Sequence, residues 1–391
     1  MPRAPDLATA VLGPDMAGPP PRDAPPDLLV DPASPKAFAT LQQAVDHASL
    51  QGGDRRLTVE LAPGSHTGPV YIPRPGPPLT IRGRPGPDRA RLVADIDARM
   101  PGAEYRRRYG NVFRQAHPAS RAIHERIAAR THIGTDNSAV LRVERDGTHL
   151  AHLDITNTHA CDRPDADGQH QAVALHMAKA DGLHAHDLRL TSHQDTLYLQ
   201  GTGRTHLTDC LIEGDVDFIF GGATALFERC EIRTRIGRTD RTWALAPSTR
   251  IDAAHGFVCH DCDFTAEGTA PGHHFVARQW FEGVRATPYA SADHPACEVS
   301  LGSRSDRSGI ISRQTLESVG KVALVGCRLG PHLNAERPWD NWGGSPGWSP
   351  RYRPVQHGPA DFLRHLERWL QAQRLDYTHL DPDELWLSIE P

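Results

Sequence analysis

The sequence predicts an all-β protein wound as a parallel β-solenoid, and three observations carry that prediction. A degenerate repeat of about twenty residues recurs from residue 138 onward, a period that marks stacked-coil architectures. The second strands of successive repeats align as His152-Leu153-Asp154-Ile155, Asp187-Leu188-Arg189-Leu190, Asp209-Cys210-Leu211-Ile212, Arg229-Cys230-Glu231-Ile232, Asp261-Cys262-Asp263-Phe264 and Gly326-Cys327-Arg328-Leu329. Their second and fourth positions are apolar throughout, while the position between is mostly charged; a period of two puts both apolar columns on one face. Finally, 34 Gly and 33 Pro supply many turns, which suits short strands. One repeat cannot bury its own apolar face, so coils must stack, at the ordinary strand spacing of about 4.8 Å.

The elements follow in chain order. Residues 1–33 are rich in Pro, Ala and Asp and are expected to be disordered. They lack a basic start followed by an apolar core, so no secretory signal is visible. Ser34-Pro35 precedes Phe38, Leu41, Ala44, Val45 and Ala48 at helical spacing, which predicts an amphipathic helix over about 36–50. Such a helix would cap the open edge of the first coil. Leu57–Leu61 with Ala62-Pro63-Gly64, and Leu79–Arg82 with Gly83, read as strand and turn. Residues 99–136 are charged and Arg-rich and read as an irregular surface insertion. The solenoid domain spans 34–350. Asp361, Phe362, Leu363, Leu366, Trp369 and Leu370 predict a helix over about 360–373 followed by coil, so that 351–391 forms a C-terminal helical tail.

Composition narrows the function. Hydrophobic residues make up 38% and charged residues 23%, enough for a sizeable core. The net charge of −5 argues against nucleic acid as the main partner, which would want a basic face. No apolar run approaches about 18 residues, so no transmembrane helix is expected. Seven cysteines, an odd number, neither make a disulfide scaffold nor fix the compartment.

The chemistry concentrates in Gly214-Asp215-Val216-Asp217-Phe218-Ile219-Phe220-Gly221. Asp217 stands in a run that should be a strand, where an acid is costly. About one coil earlier, Gln194-Asp195-Thr196-Leu197-Tyr198 places another acid beside another apolar strand. If both face outward from adjacent coils, their carboxyls meet. Like charges that close do not both ionise easily, so one becomes an acid and the other a base or nucleophile. The ordinary alternative is two surface acids unrelated in space. Gln194 and Gln171, at the start of Gln171-Ala172-Val173-Ala174-Leu175, are neutral donors able to hold an oxyanion. Arg278, in Phe275-Val276-Ala277-Arg278-Gln279-Trp280, could pair bidentately with one acid and keep it ionised. Trp280 offers a flat face to a sugar or apolar group. On composition alone, an ordinary salt bridge beside a core Trp is the better explanation of the last two.

These pieces stand in an order that resembles the pectin methylesterases. Phe38-Ala39-Thr40-Leu41-Gln42-Gln43-Ala44-Val45 is similar to that family's F-x-T-I-Q-x-A-I opening; Gln171–Leu175 to Q-A-V-A-L; Gln194–Tyr198 to Q-D-T-L-Y; Gly214–Gly221 to G-x-V-D-F-I-F-G; and Ala277–Trp280 to G-R-P-W, with its Gly and Pro replaced. The resemblance covers about 36–345 and implies a right-handed, single-stranded parallel β-helix that removes methyl esters from pectin-like polygalacturonate. It implies Asp217 as nucleophile, Asp195 as general acid then base, Gln194 and Gln171 as oxyanion donors, and Arg278 as the residue that holds Asp217. Trp280, Tyr198 and Phe220 would line the sugar groove. It implies no metal or organic cofactor, a monomer, and a secreted or periplasmic location. Leu301-Gly302-Ser303-Arg304 could replace the Arg278 segment but lacks the Trp. Long insertions resemble a divergent bacterial branch that includes acyl-CoA thioesterase-like proteins. An acyl-CoA or other small-ester hydrolase using the same acids is therefore an alternative, as is an inactive glycan-binding β-helix.

Weaker signals complete the reading. Cys210 and Cys230 lie on adjacent rungs of one column, within disulfide reach, and family members resemble this with a bridge; two stacked thiols fit as well. None of the 23 His forms H-E-x-x-H, and His184, His186, His273 and His274 read as solvated turn residues. Arg229, Arg233, Arg235, Arg238 and Arg241 could meet a polyuronate, though a solvated rim is the simpler reading.

Overall fold

The computed structural model describes residues 7–16, 25–159, 170–235, 238–250, 253–268, 273–278, 280, 320–336 and 338–340, with the backbone alone of Val299–Ser300, Ile311–Ser312 and Leu387–Glu390. Coil after coil, the chain passes through three parallel sheets of ten, eight and eight strands. One coil contributes Leu183–His186 to the first sheet, Arg189–Thr191 to the third and Leu197–Gln200 to the second; the next repeats the path with Arg204–Thr208, Leu211–Gly214 and Val216–Gly221. This is a parallel β-helix. The apolar columns pair in the predicted register: Ile155 with Leu190, Leu190 with Ile212, Ile212 with Ile232, Ile232 with Phe264 and Phe264 with Leu329. All are buried except Leu329, on the final rung.

The position opening each aligned segment has a structural role. His152, Asp187, Asp209, Arg229 and Asp261 all have φ between 48° and 57°, and Gly326 has φ of 62°. A left-handed residue makes the sharp corner between the first and third sheets, and Asp tolerates that backbone better than most residues.

The N-terminal cap is the helix Leu41–Ser49, which buries Leu41, Ala44, Val45 and Ala48. Its cap residue is Thr40 rather than Ser34, in a reciprocal box with Gln43. Gln42 closes the exposed edge of the second sheet: its Oε1 accepts from Tyr71 N at 2.8 Å and its Nε2 donates to Tyr71 O at 3.1 Å. One side chain thus stands in for a missing strand.

Several expectations change. The 99–136 insertion is not irregular: it forms helices Gly102–Phe113 and Pro118–Ala128. Tyr105, Tyr109 and Phe113, then Ile123 and Ile127, keep helical spacing beneath a surface of arginines. Phe113 stacks on Tyr71 with ring centroids 4.5 Å apart. Part of the segment expected to be disordered is also ordered: Leu7–Leu12 is a helix, and Leu12 and Met16 are buried with Leu226 and Val258 of the first sheet. His184 is not a turn residue but lies in strand Leu183–His186, its ring 4.8 Å from His149 and 5.9 Å from His206. Burial pushes the His184 imidazole down to about 4 and that of His149 to about 3. His186 ends the same strand, and His274 is buried in strand His274–Arg278 with Nδ1 2.8 Å from Thr242 Oγ1; only His273 is an exposed bend. Cys210 and Cys230 are buried free thiols, not a disulfide. Each S–H turns to backbone carbonyls instead, Cys210 to Thr208 O at 3.3 Å and Cys230 to Glu228 O at 3.4 Å. The predicted helix at 360–373 lies outside the described residues. In place of terminal coil, Leu387–Glu390 pairs parallel with Val322–Val325 as the last strand of the first sheet.

Candidate active site

The second sheet carries the acids. Leu197 pairs with Ile219 and Tyr198 with Phe220, so Asp195 and Asp217, each two residues upstream of a paired leucine or isoleucine, occupy equivalent places on adjacent coils. Asp195 N donates to Val216 O at 3.1 Å. Both acids have left-handed backbone, with φ of 68° and 49°. On the other side of Val216–Gly221 the register slips: Val216 pairs with Trp243 but Ile219 with Leu245. Asp217 and Phe218 therefore oppose Ala244 together, and this bulge lets Phe218 enter the core while Asp217 turns toward Arg278. The flanking glycines are required by space. A Cβ on Gly214 would fall 2.2 Å from Phe218 Cβ, and one on Gly221, where φ is 131°, would fall 1.9 Å from Leu199 O.

Arg278 reaches Asp217 from strand His274–Arg278, two coils further on. Its Nε donates to Oδ1 and its Nη2 to Oδ2, both at 2.6 Å. The pair is nearly dry, with Asp217 6% and Arg278 7% exposed. The guanidinium carbon also lies 3.8 Å from the centre of the Trp243 ring, which fixes the fork from behind. Among the described residues Asp195 has no such hydrogen-bonded cation. Burial, and then the neighbouring charge of Asp217, push its carboxyl well above the usual carboxylate range. The arrangement thus holds one acid paired with a cation beside a second acid that favours its proton.

A stability test follows from that asymmetry. The folded state keeps the Asp195 proton where the unfolded chain has released it. Its contribution is therefore present below the ordinary carboxylate pKa and is lost as pH rises toward the raised value, by up to about 1.4 kcal/mol per pH unit. Asp195→Asn is expected to gain more thermal stability over wild type at pH 7 than at pH 4. Equal shifts in melting midpoint at both pH values would remove the raised pKa.

A second buried ion pair braces the first. Asp215 is fully buried and accepts from Arg238 at 2.6 and 2.7 Å, while His193 Nδ1 lies 3.1 Å away. Burial alone would raise the Asp215 carboxyl, but the Arg238 and His193 contacts outweigh it and hold it below the usual range. His193 stands two residues before Asp195 as Asp215 stands two before Asp217, a parallel already present in the sequence. The arginine segment is thus no solvated rim at Arg238. The rest of the cluster is also engaged by the chain's own groups: Arg229 pairs with Asp209, Arg233 with Glu213 and Glu231, and Arg241 with Asp340, while Arg235 donates to Ser192 O. Asp340 also accepts from Trp243 Nε1 at 3.0 Å. No local motif marks Trp243 and Asp340 as site residues, because only the stacking of the coils on either side brings them to Arg278.

The other candidates lie on the same sheet and the coils around the acids. Gln171 bridges to Gln194 in parallel register, on the coil before the acids. Gln194 is buried, and its Oε1 has no hydrogen-bond partner among the described residues. His176, Tyr198 and Phe220 stack as a column, with centroids 4.4 and 4.2 Å apart. Trp280 stands edge-on to Tyr198 and Phe220 at 5.9 and 5.3 Å. Arg304 lies outside the described residues.

Comparison with known proteins supplies an independent measure. Residues 118–284 match the family named Pectinesterase. A pectinesterase of Sitophilus oryzae is 30% identical over 259 residues, covering 64% of this chain and 66% of that protein, so the chain spans just under two thirds of that relative's length. Pectinesterase B of Pectobacterium parmentieri is 31% identical over 297 residues, covering 68% of this chain and 73% of that protein. The solved structure of rice weevil pectin methyl esterase superposes with a TM-score of 0.71 at 25% identity, covering 89% of this chain and 88% of that one.

Proposed function

The chain belongs to the pectinesterase family, and from that membership we propose that it hydrolyses the methyl esters of a pectin-like polygalacturonate with Asp217 as nucleophile. The observation that carries the reading is the split acid pair: Asp217 held by Arg278 at 2.6 Å, beside an Asp195 whose carboxyl burial and Asp217 push well above the usual range.

The chemistry runs in two halves. An Asp217 oxygen attacks the ester carbonyl, and the resulting oxyanion takes hydrogen bonds from the side-chain amides of Gln194 and Gln171. Collapse breaks the carbon–methoxy bond, and methanol leaves with the proton of Asp195. An acyl anhydride on Asp217 remains. Asp195, now a carboxylate, takes a proton from water as the water adds to the acyl carbon. Asp217 departs as a carboxylate, and the galacturonic acid released gives its remaining proton to solvent. Arg278 fixes the attacking carboxylate throughout. None of these steps calls on a metal or organic cofactor.

Trp280, Tyr198 and Phe220 form an aromatic wall suited to the apolar face of a sugar ring. Trp280→Ala is expected to raise KM for pectin by roughly tenfold, worth about 1.4 kcal/mol, with a smaller change in kcat; a loss confined to kcat would move Trp280 from binding to chemistry. All the residues invoked come from one chain, so a monomer suffices. A polymeric substrate of this kind places the enzyme outside the cytoplasm. No helix among the described residues is long and apolar enough to cross a membrane.

The deciding experiment measures methanol released from esterified pectin, in parallel with hydrolysis of an acyl-CoA thioester. Methanol release from pectin upholds the proposal. Thioester cleavage without methanol would transfer the same acids to a small-ester hydrolase, and sugar binding with neither activity would leave a glycan-binding β-helix.

A further inference from the structure

A second cluster of ligating side chains lies at the corner of the coil between the third and second sheets, outside the esterase machinery. Asp97 follows strand Ala90–Ala94, His159 follows strand Leu153–Asn157 on the next coil, and His170 leads into the strand Leu175–Ala178. The register of Ala94 with Asn157 sets the first two side by side. A hydrogen bond from Ala98 N to Gln171 O at 2.9 Å brings the third to them. Three atoms converge there: His159 Nε2 lies 3.1 Å from His170 Nδ1, His170 Nδ1 lies 3.1 Å from Asp97 Oδ2, and His159 Nε2 lies 3.5 Å from Asp97 Oδ2. Among the described residues it is a group of His and Asp able to hold an ion, with Asp97 buried.

Neutral imidazoles leave this triangle short of a proton. His159 Nδ1 lies 2.9 Å from Asp95 Oδ1. If that nitrogen carries the ring proton, Nε2 is a bare lone pair facing another imidazole nitrogen and a carboxylate oxygen. The single proton on His170 Nδ1 can be directed to only one of those two acceptors. A cation at the centre satisfies all three atoms at once. The spacing suits it: around tetrahedral zinc, with bonds of about 2.0–2.1 Å, ligand atoms lie about 3.3–3.4 Å apart. An imidazole whose far nitrogen is held by a carboxylate is also the usual outer support of a zinc ligand, and Asp95 supplies it. Two imidazoles and one carboxylate favour a late first-row divalent ion over calcium or magnesium, which prefer oxygen alone.

We propose that Asp97, His159 and His170 form a binding site for a divalent ion of the zinc class, with Asp95 orienting His159. The ion ties together three passes of the chain. His170 immediately precedes Gln171, so the clamp holds the coil that presents Gln171 beside Gln194. The proposal does not depend on the esterase reading, since no step of that chemistry passes through the ion.

The test is calorimetric titration of EDTA-treated, dialysed full-length protein with zinc chloride, with thermal denaturation alongside. Wild type is expected to bind one ion per chain and to melt higher with zinc, as any ligand of the folded state requires. Asp97→Asn, which keeps the side-chain volume, is expected to weaken zinc affinity at least tenfold. His159→Gln/His170→Gln is expected to abolish both binding and the zinc-dependent shift. Absence of zinc binding by wild type, or equal affinity in Asp97→Asn, would overturn the site. Should the double variant fail to fold, the single variant still decides the matter.

Discussion

Asp217→Asn is expected to reduce kcat on esterified pectin by about a thousandfold or more, because an amide cannot deliver the oxygen nucleophile on which both halves of the reaction depend. The change should leave the β-helix folded. Its core is made by the interior columns, and the bulge that carries Asp217 is set by Gly214, Phe218 and Gly221 rather than by the carboxylate. It will still lower the melting midpoint, since Arg278 stays buried against Trp243 facing an amide instead of a charge. Breaking a buried pair from one side costs on the order of 3–5 kcal/mol. Turnover is measured by methanol release and fold by far-UV circular dichroism on the same preparation. Near-normal turnover would remove Asp217 from the nucleophile's role.

Arg278→Ala is the second large effect. It removes both 2.6 Å hydrogen bonds to Asp217 and leaves a nearly dry carboxylate next to Asp195. With that cation gone, the repulsion between the two acids loses its main counterweight, and one proton is shared between them. A loss of about a hundredfold to ten-thousandfold in kcat is expected, larger than any change in KM. Arg278→Lys should recover part of it, because an ammonium restores charge but not the two-pronged geometry. Arg304→Ala should leave kcat within a few-fold of wild type. The opposite ranking of Arg278 and Arg304 would show that the wrong arginine has been assigned to the nucleophile.

Much of the architecture could be read from local pattern, because a solenoid repeats its instructions. Leu188, Cys210, Cys230 and Cys262 recur at one position and Leu190, Ile212, Ile232 and Phe264 at another, and each column is an interior ladder. The acids were legible for the same reason: equal offsets from equivalent strands become adjacency once coils stack. Where the chain leaves the repeat, the reading weakened. The helices Gly102–Phe113 and Pro118–Ala128 keep their apolar spacing under a dense arginine surface, and charge hid it. Leu7–Leu12 is short, and its order comes from docking on Leu226 and Val258 rather than from propensity. The Asp97, His159 and His170 cluster forms no local motif because its members come from separate passes of the chain.

By itself the sequence determined the winding of the chain, the face each column presents and the equal offsets of Asp195 and Asp217 from successive strands, since all three follow from periodicity. Only the tertiary structure decided which cation meets Asp217, that Trp243 and Asp340 stand behind it, that Asp215 is neutralised by Arg238, and that Cys210 and Cys230 are free thiols within reach of backbone carbonyls. Those outcomes depend on side-chain direction, on a one-residue bulge and on burial. These are properties of the packed coil that no spacing along the chain encodes.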